Sequence, residues 1–121
     1  MTWAEFKKIL KELTLMVDLT VGVPFTGCEK YMAENNIIAT REDEAIGIAV
    51  GAKLAGKNPL VYMQNSGLGN SVDIITSLLK PYNINIDIIV QKRITPEHHA
   101  FMGKIQDDLV KLLEYDTIRS C

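Results

Sequence analysis

Three short stretches of this chain carry side chains able to do chemistry. The first is Thr40-Arg41-Glu42-Asp43-Glu44, a cluster of acids that opens a long apolar run. A carboxylate in the first turn of a helix complements the helix dipole by about 0.3–1 kcal/mol, and any of the three acids can do this. A carboxyl group held against apolar surroundings can instead act as a general acid or base. Thr40 with Asp43 three residues later also has the pattern of a helix cap. The second stretch is Gln64-Asn65-Ser66-Gly67-Leu68-Gly69-Asn70. Its Gly67-Leu68-Gly69 is half of a dinucleotide fingerprint and lacks the third glycine. No Gly-Lys-Ser/Thr follows, which excludes a Walker loop, and Ser66, preceded by Asn65, does not sit in a Gly-x-Ser-x-Gly elbow. A tight turn with glycines at positive φ is the plain expectation. The third stretch runs from Lys92 and Arg93 to Gly103 and holds the only histidines, His98 and His99. Adjacent side chains usually diverge, so the pair reads as solvated loop residues and not as a shared metal site.

Alternating elements must position these groups. Thr2 and Glu5 form a capping box ahead of Trp3, Phe6, Leu10, Leu13 and Val17, an amphipathic helix that ends near Asp18. Leu19 to Val23 reads as a strand entering a loop at Pro24, residues 28–35 as two helical turns, and residues 37–39 as a very short strand. Residues 42–55 form a helix with scarcely a polar face, which predicts burial on several sides; Gly47 and Gly51 would let another backbone approach. Strands at 60–63 and 84–90, helices at 71–79 and 104–114, and a loop over 91–97 complete the order α-β-α-β-α-β-α-β-α. Alternation of this kind predicts a single domain over residues 1–121, α/β in class, with a mostly parallel sheet between two helical layers. Ligands in such sheets bind beyond the carboxyl ends of the strands. That edge is where the three stretches fall.

Gly22-Val23-Pro24, the run Arg41 to Ala52 and the run Met63 to Asn70 together resemble the pyrimidine-binding domain of thiamine-diphosphate-dependent 2-oxoacid decarboxylases, most closely the sulfopyruvate and then the phosphonopyruvate decarboxylases. The resemblance extends over roughly residues 2–115, with Met63 to Asn70 its most specific part. It implies a three-layer α/β/α thiamine-diphosphate-binding fold. Glu42, with Ala45 and Gly51 at the family's spacing, takes the position of the glutamate that hydrogen-bonds N1′ of the aminopyrimidine and so activates the cofactor. The resemblance implies further cofactor contacts from Gly22, Val23, Pro24, Phe25, Gln64, Asn65, Ser66, Gly67 and Asn70. Pro96-Glu97-His98-His99 resembles a Pro-Gln-His region of the same group. His99 is thereby implied in proton transfer, and Arg93, His98 and His99 in substrate binding. A fixed guanidinium suits a sulfonate or phosphonate.

The chain carries no Gly-Asp-Gly with a downstream Asn, the family's pattern for Mg²⁺ and the diphosphate. The resemblance therefore implies a diphosphate-binding β subunit that holds Mg²⁺, a hetero-oligomer, and a small anionic 2-oxoacid as substrate, with a place in coenzyme M biosynthesis for the sulfopyruvate reading. A phosphonopyruvate decarboxylase subunit and a non-catalytic regulatory domain are the alternatives. Thirteen Lys and Arg against fifteen Asp and Glu leave a net charge of −2, without the basic excess of a nucleic-acid binder. No apolar run reaches membrane-spanning length. Cys28 and Cys121 form neither a C-x-x-C nor a zinc spacing, so a reduced, cytoplasmic chain without its own metal site is expected.

Overall fold

Thr2 begins the first helix as its sequence requires. Its hydroxyl accepts the Glu5 amide at 3.2 Å, and the Glu5 carboxylate accepts the Thr2 amide at 2.9 Å. Helix α1 (Trp3–Met16) is followed by β1 (Leu19–Gly22), a single 3₁₀ turn over Cys28–Tyr31, β2 (Asn36–Ile38), α2 (Glu42–Leu54), β3 (Pro59–Gln64) and α3 (Asn65–Ile74). The last of these runs on as a π-helical turn over Ile75–Leu79 before β4 (Asp87–Gln91), α4 (Glu97–Leu113) and β5 (Ile118–Ser120). This computed structural model describes residues 2–120, so the expectation of a free thiol at Cys121 lies outside the described residues. Cys28 is a free, buried thiol. No described helix is long and apolar enough to cross a membrane.

The five strands form one parallel sheet in the order β2-β1-β3-β4-β5. Strand alternation divides the core in two. Val61 and Met63 of β3, with Ile88 and Val90 of β4, face Ala45, Ile46, Ala49, Leu68 and Ile75 of the α2–α3 layer. Leu60, Tyr62 and Ile89 face the opposite way, against Phe6 of α1 and the Phe25–Tyr31 pair. The architecture is thus three-layered α/β/α with a wholly parallel sheet. Chain order reverses between β1 and β3, and ligands favour such switch points at the carboxyl edge of a sheet. Gly22 marks this place, because a Cβ there would lie 2.5 Å from the carbonyl oxygen of Tyr62 on β3.

Several boundaries depart from the sequence expectation. The 64–70 stretch is not a turn: Gln64 ends β3 and α3 starts at the next residue. Gly67 and Gly69 are helical and do not take positive φ, which among described glycines belongs to Gly27 and Gly56. Helix α4 starts at Glu97, not 104, so His98 and His99 lie in its first turn and not in a loop. Strand β4 starts at Asp87, not 84, because the preceding segment is held by a side chain. The Tyr115 hydroxyl accepts the Ile86 amide at 2.6 Å and donates to the Ile84 carbonyl at 2.7 Å. Residues 28–35 supply one 3₁₀ turn instead of two helical turns. The sequence pattern also missed β5, which follows the left-handed Glu114 that ends α4. Helix α2 buries Ala45, Ile46, Ala49 and Val50, yet its far side is uncovered by the described residues: none of them lies within 4 Å of a Cβ at Gly47 or Gly51 beyond the helix itself, and Leu54 is exposed.

Candidate functional site

Because every strand points the same way, the ends of β1, β2, β3 and β4 share one edge, and helices α2, α3 and α4 all begin there. The three acids that open α2 separate by what each one meets. Asp43 turns back on its own turn: its Oδ1 accepts Arg41 Nε and the Glu44 amide at 3.1 and 3.0 Å. The Arg41 hydrogen bond holds the Asp43 carboxyl below its ordinary value. Glu44 accepts the Thr40 amide at 2.8 Å, so the capping acid is Glu44 and not Asp43, and the N-cap residue is Arg41 and not Thr40. Glu42 takes no part in this capping. It is buried, and its Oε2 accepts Asn70 Nδ2 of α3 at 3.2 Å.

The start of α3 holds Glu42 in place. A Cβ on Gly67 would overlap Glu42 Cγ and lie 3.0 Å from Met63 Cβ, so only glycine lets the two helix starts approach this closely. Ser71, one turn on, returns its hydroxyl to the Gly67 carbonyl at 2.7 Å. Met63 is buried and Gln64 half-buried at the end of β3, where Gln64 pairs with Gln91 of β4. Ser66 and Asn70 are exposed on the same helix start.

The segment leading into α4 joins the same edge. Arg93 Nη1 donates to Gln64 Oε1 at 3.0 Å. Fully buried Asn65 donates to the carbonyls of Arg93 and His99 at 2.7 and 3.2 Å. His99 is 4% exposed, a correction to the solvated reading, and its Nδ1 has no hydrogen-bond partner among the described residues. Burial, then the neighbouring His98 and Arg93, lower its pKa below the ordinary imidazole value. His98 is exposed, and the two rings do not diverge: their centroids are 4.1 Å apart.

Gln64, Asn65, Gly67, Asn70, Glu42, Arg93 and His99 thus form one linked set. Ser66 and His98 flank it from the surface. Gly22 ends β1 at the same edge, with Val23 and Pro24 directly after it, whereas Phe25 packs into the second core between Tyr31 and Tyr62, with centroids 6.2 and 6.4 Å away. Gln91, whose Oε1 accepts the Tyr31 hydroxyl at 2.7 Å, extends this polar edge; the sequence pattern places it at the start of a loop, whereas it closes β4. Gly103 lies close to the same segment: a Cβ there would collide with the Arg93 carbonyl. Among the described residues no group of three or more His, Cys, Asp or Glu is placed to hold a metal ion. The arrangement offers a buried carboxyl group beside an exposed amide, and a guanidinium close to a buried imidazole.

No protein-family model matches the chain. It is 38% identical over 109 residues to the sulfopyruvate decarboxylase subunit alpha of Methanothermobacter thermautotrophicus, covering 81% of this chain and 66% of that one. The subunit of the same name from Methanococcus maripaludis is 52% identical over 84 residues, covering 64% of this chain and 50% of that one. Phosphonopyruvate decarboxylase of Streptomyces viridochromogenes is 37% identical over 110 residues, covering 86% of this chain and 25% of that one. The chain spans 66% or less of the length of these relatives. Over most of its length the chain is thus similar both to sulfopyruvate decarboxylase alpha subunits and to phosphonopyruvate decarboxylases.

Proposed function

We propose that this chain is the alpha subunit of a two-subunit, thiamine-diphosphate-dependent sulfopyruvate decarboxylase that releases CO₂ from 3-sulfopyruvate and leaves sulfoacetaldehyde. The observation that carries the reading is Glu42: alone among the three acids that open α2 it is buried, absent from the capping bonds, and held by Asn70. A carboxyl group so placed fits a ring nitrogen that must share its proton. When bound, the cofactor supplies the electron sink that decarboxylation of a 2-oxoacid needs.

This chain's residues hold, orient and exclude water. Glu42 Oε2 is fixed by the Asn70 amide, and the carboxyl donates or accepts its proton at N1′ of the aminopyrimidine. Its burial keeps that shared proton away from bulk water. Gly22, Val23, Pro24, Gln64, Ser66, Gly67 and Asn70 form the wall beside it. Arg93, steadied by Gln64, pairs with the sulfonate through charge-assisted hydrogen bonds. His99, neutral near pH 7 because its pKa is lowered, accepts or returns a proton at the reacting carbon.

Mg²⁺ requires several oxygen ligands, and the diphosphate requires a site of its own. Both are assigned to a β subunit, with the reaction centre at the interface. The longer relatives support a partner of this kind, since the chain matches 25% of one phosphonopyruvate decarboxylase and 21% of a sulfopyruvate decarboxylase from Methanosarcina acetivorans. The kinship with phosphonopyruvate decarboxylases makes phosphonopyruvate the second substrate to assay. The test is co-expression with a diphosphate-binding partner, then CO₂ release from sulfopyruvate and phosphonopyruvate with thiamine diphosphate and Mg²⁺. Glu42→Gln should lower turnover by about 10²–10⁴-fold with the two subunits still co-purifying. An assembled, fully active variant would refute the role of Glu42.

A further inference from the structure

Asn65 is wholly buried at the first position of α3, and its polar atoms are engaged within the chain. Nδ2 donates to the Arg93 carbonyl at 2.7 Å and to the His99 carbonyl at 3.2 Å, while Oδ1 accepts the Ser66 amide at 3.1 Å. One side chain thereby ties both ends of the 93–99 segment to the helix start that braces Glu42. The Arg93 carbonyl also lies against Gly103, where a Cβ would collide with it and stand 3.0 Å from Ile94 Cγ2. Two residues far apart in sequence therefore fix the backbone of Arg93, one by donating to its carbonyl and one by leaving room for it.

We infer that Asn65 is a positioning residue for the substrate end of the site: it sets where the Arg93 guanidinium and the His99 imidazole stand, and meets neither cofactor nor substrate itself. This inference rests on the decarboxylase reading for the roles of Arg93 and His99. It gives Asn65 a different task from the cofactor contact that the resemblance implied. A buried amide facing two carbonyls is close to the sole side chain of this size that can do the task. Aspartate has the same shape but turns an acceptor toward two acceptors.

The test uses the assembled enzyme carrying Asn65→Asp, Gly103→Ala and Arg93→Ala, singly and with Arg93→Ala combined with each of the others. Asn65→Asp and Gly103→Ala should each raise KM for sulfopyruvate by about ten- to a hundredfold, the loss expected when a hydrogen bond to a charged group is misaligned, with a smaller change in kcat. In the Arg93→Ala background neither should raise KM by more than about twofold. Effects that multiply would overturn the inference. The same preparations are exposed to trypsin. Cleavage after Arg93 should rise by about tenfold in Asn65→Asp, while cleavage after Lys57, in a loop that Asn65 does not touch, stays as in the wild type. Equal rises at both points would make Asn65 a general stabilising residue and overturn the inference, as would no rise at Arg93. If Asn65→Asp does not fold, Asn65→Ser, which keeps one donor, takes its place under the same criteria. A wild-type complex that releases no CO₂ would sink the decarboxylase reading, and the trypsin result would then decide the role of Asn65 by itself.

Discussion

Replacing Gly67 by alanine adds one methyl group at the place where α3 meets Glu42. Its φ is not positive, so the backbone accepts alanine, and helix propensity alone would favour the change by about 1 kcal/mol. Space opposes it. The new Cβ would overlap Glu42 Cγ and sit 3.0 Å from both Glu42 Cδ and Met63 Cβ. Met63 lies on the central strand β3 and is 1% exposed, so it has little room to yield. Overpacking of this kind costs about 1–3 kcal/mol, which leaves a net loss of about 0–2 kcal/mol. The softer neighbour is Glu42, at the start of α2, and its displacement breaks the 3.2 Å bond to Asn70. Moving a catalytic group by roughly 1 Å lowers rate by about 10²-fold. Turnover of the assembled enzyme and thermal melting of the chain, measured together, separate the two effects: a modest fall in Tm with a large fall in kcat is expected. Wild-type turnover with a raised Tm would show that Gly67 was merely a poor helix former, and that the close approach to Glu42 has no catalytic meaning.

Three further outcomes follow from the geometry. The folded chain holds His99 below its ordinary 6.5, so the unfolded state takes up a proton that the folded state refuses. The stability this confers is complete above pH 6.5 and is lost as pH falls from there through the lowered folded value. Urea titrations across that window should show the decline, and His99→Gln should flatten it; an unchanged profile would exclude His99 as its source. Tyr115→Phe removes the acceptor of the buried Ile86 amide and should cost about 1–3 kcal/mol in denaturant unfolding, a near-zero change counting against that accounting. Gly22→Ala should destabilise by about 1–3 kcal/mol or more, because its Cβ would meet the Tyr62 ring and carbonyl across paired strands, and an unaffected midpoint would contradict this.

Where hydrophobic period and capping chemistry agree, the sequence reads well. Helix α1 has both, and α2 and β3 lie within one or two residues of expectation. The misses share a cause: local residue preferences were overridden by contacts distant in sequence. Gly67 and Gly69 look like turn residues, yet Gly67 is a helical glycine chosen for closeness to Glu42, and a Cβ on Gly69 would lie 3.1 Å from Met102 Cε of α4. The first turn of α4 lacks apolar spacing, and it is held by Asn65 from another element. Strand β5 has three residues and exists because β4 offers an edge, with Arg119 paired to Asp87 at 2.9 Å. Within the site, Glu42 could be picked from its neighbours in sequence only through the family's spacing. The physical distinction, that Glu44 caps Thr40 and Asp43 is bonded to Arg41 and the Glu44 amide, needs three dimensions.

Strand β3 passes into α3 with no intervening residue, Gln64 closing one and Asn65 opening the other. Such a junction has no slack. Each residue of an α-helix turns it by about 100°, so inserting one residue after Gln64 would swing Asn70 and Gly67 roughly a quarter-turn away from Glu42 and carry Asn65 off the 93–99 segment. The Val23–Gly27 connection, by contrast, puts five residues between β1 and the 3₁₀ turn, although Phe25 within it is anchored in the second core. The join at 64–65 acts as a fixed shaft coupling between sheet and helix, so the phase of the contacts to Glu42 and to the 93–99 segment is set at a single peptide bond.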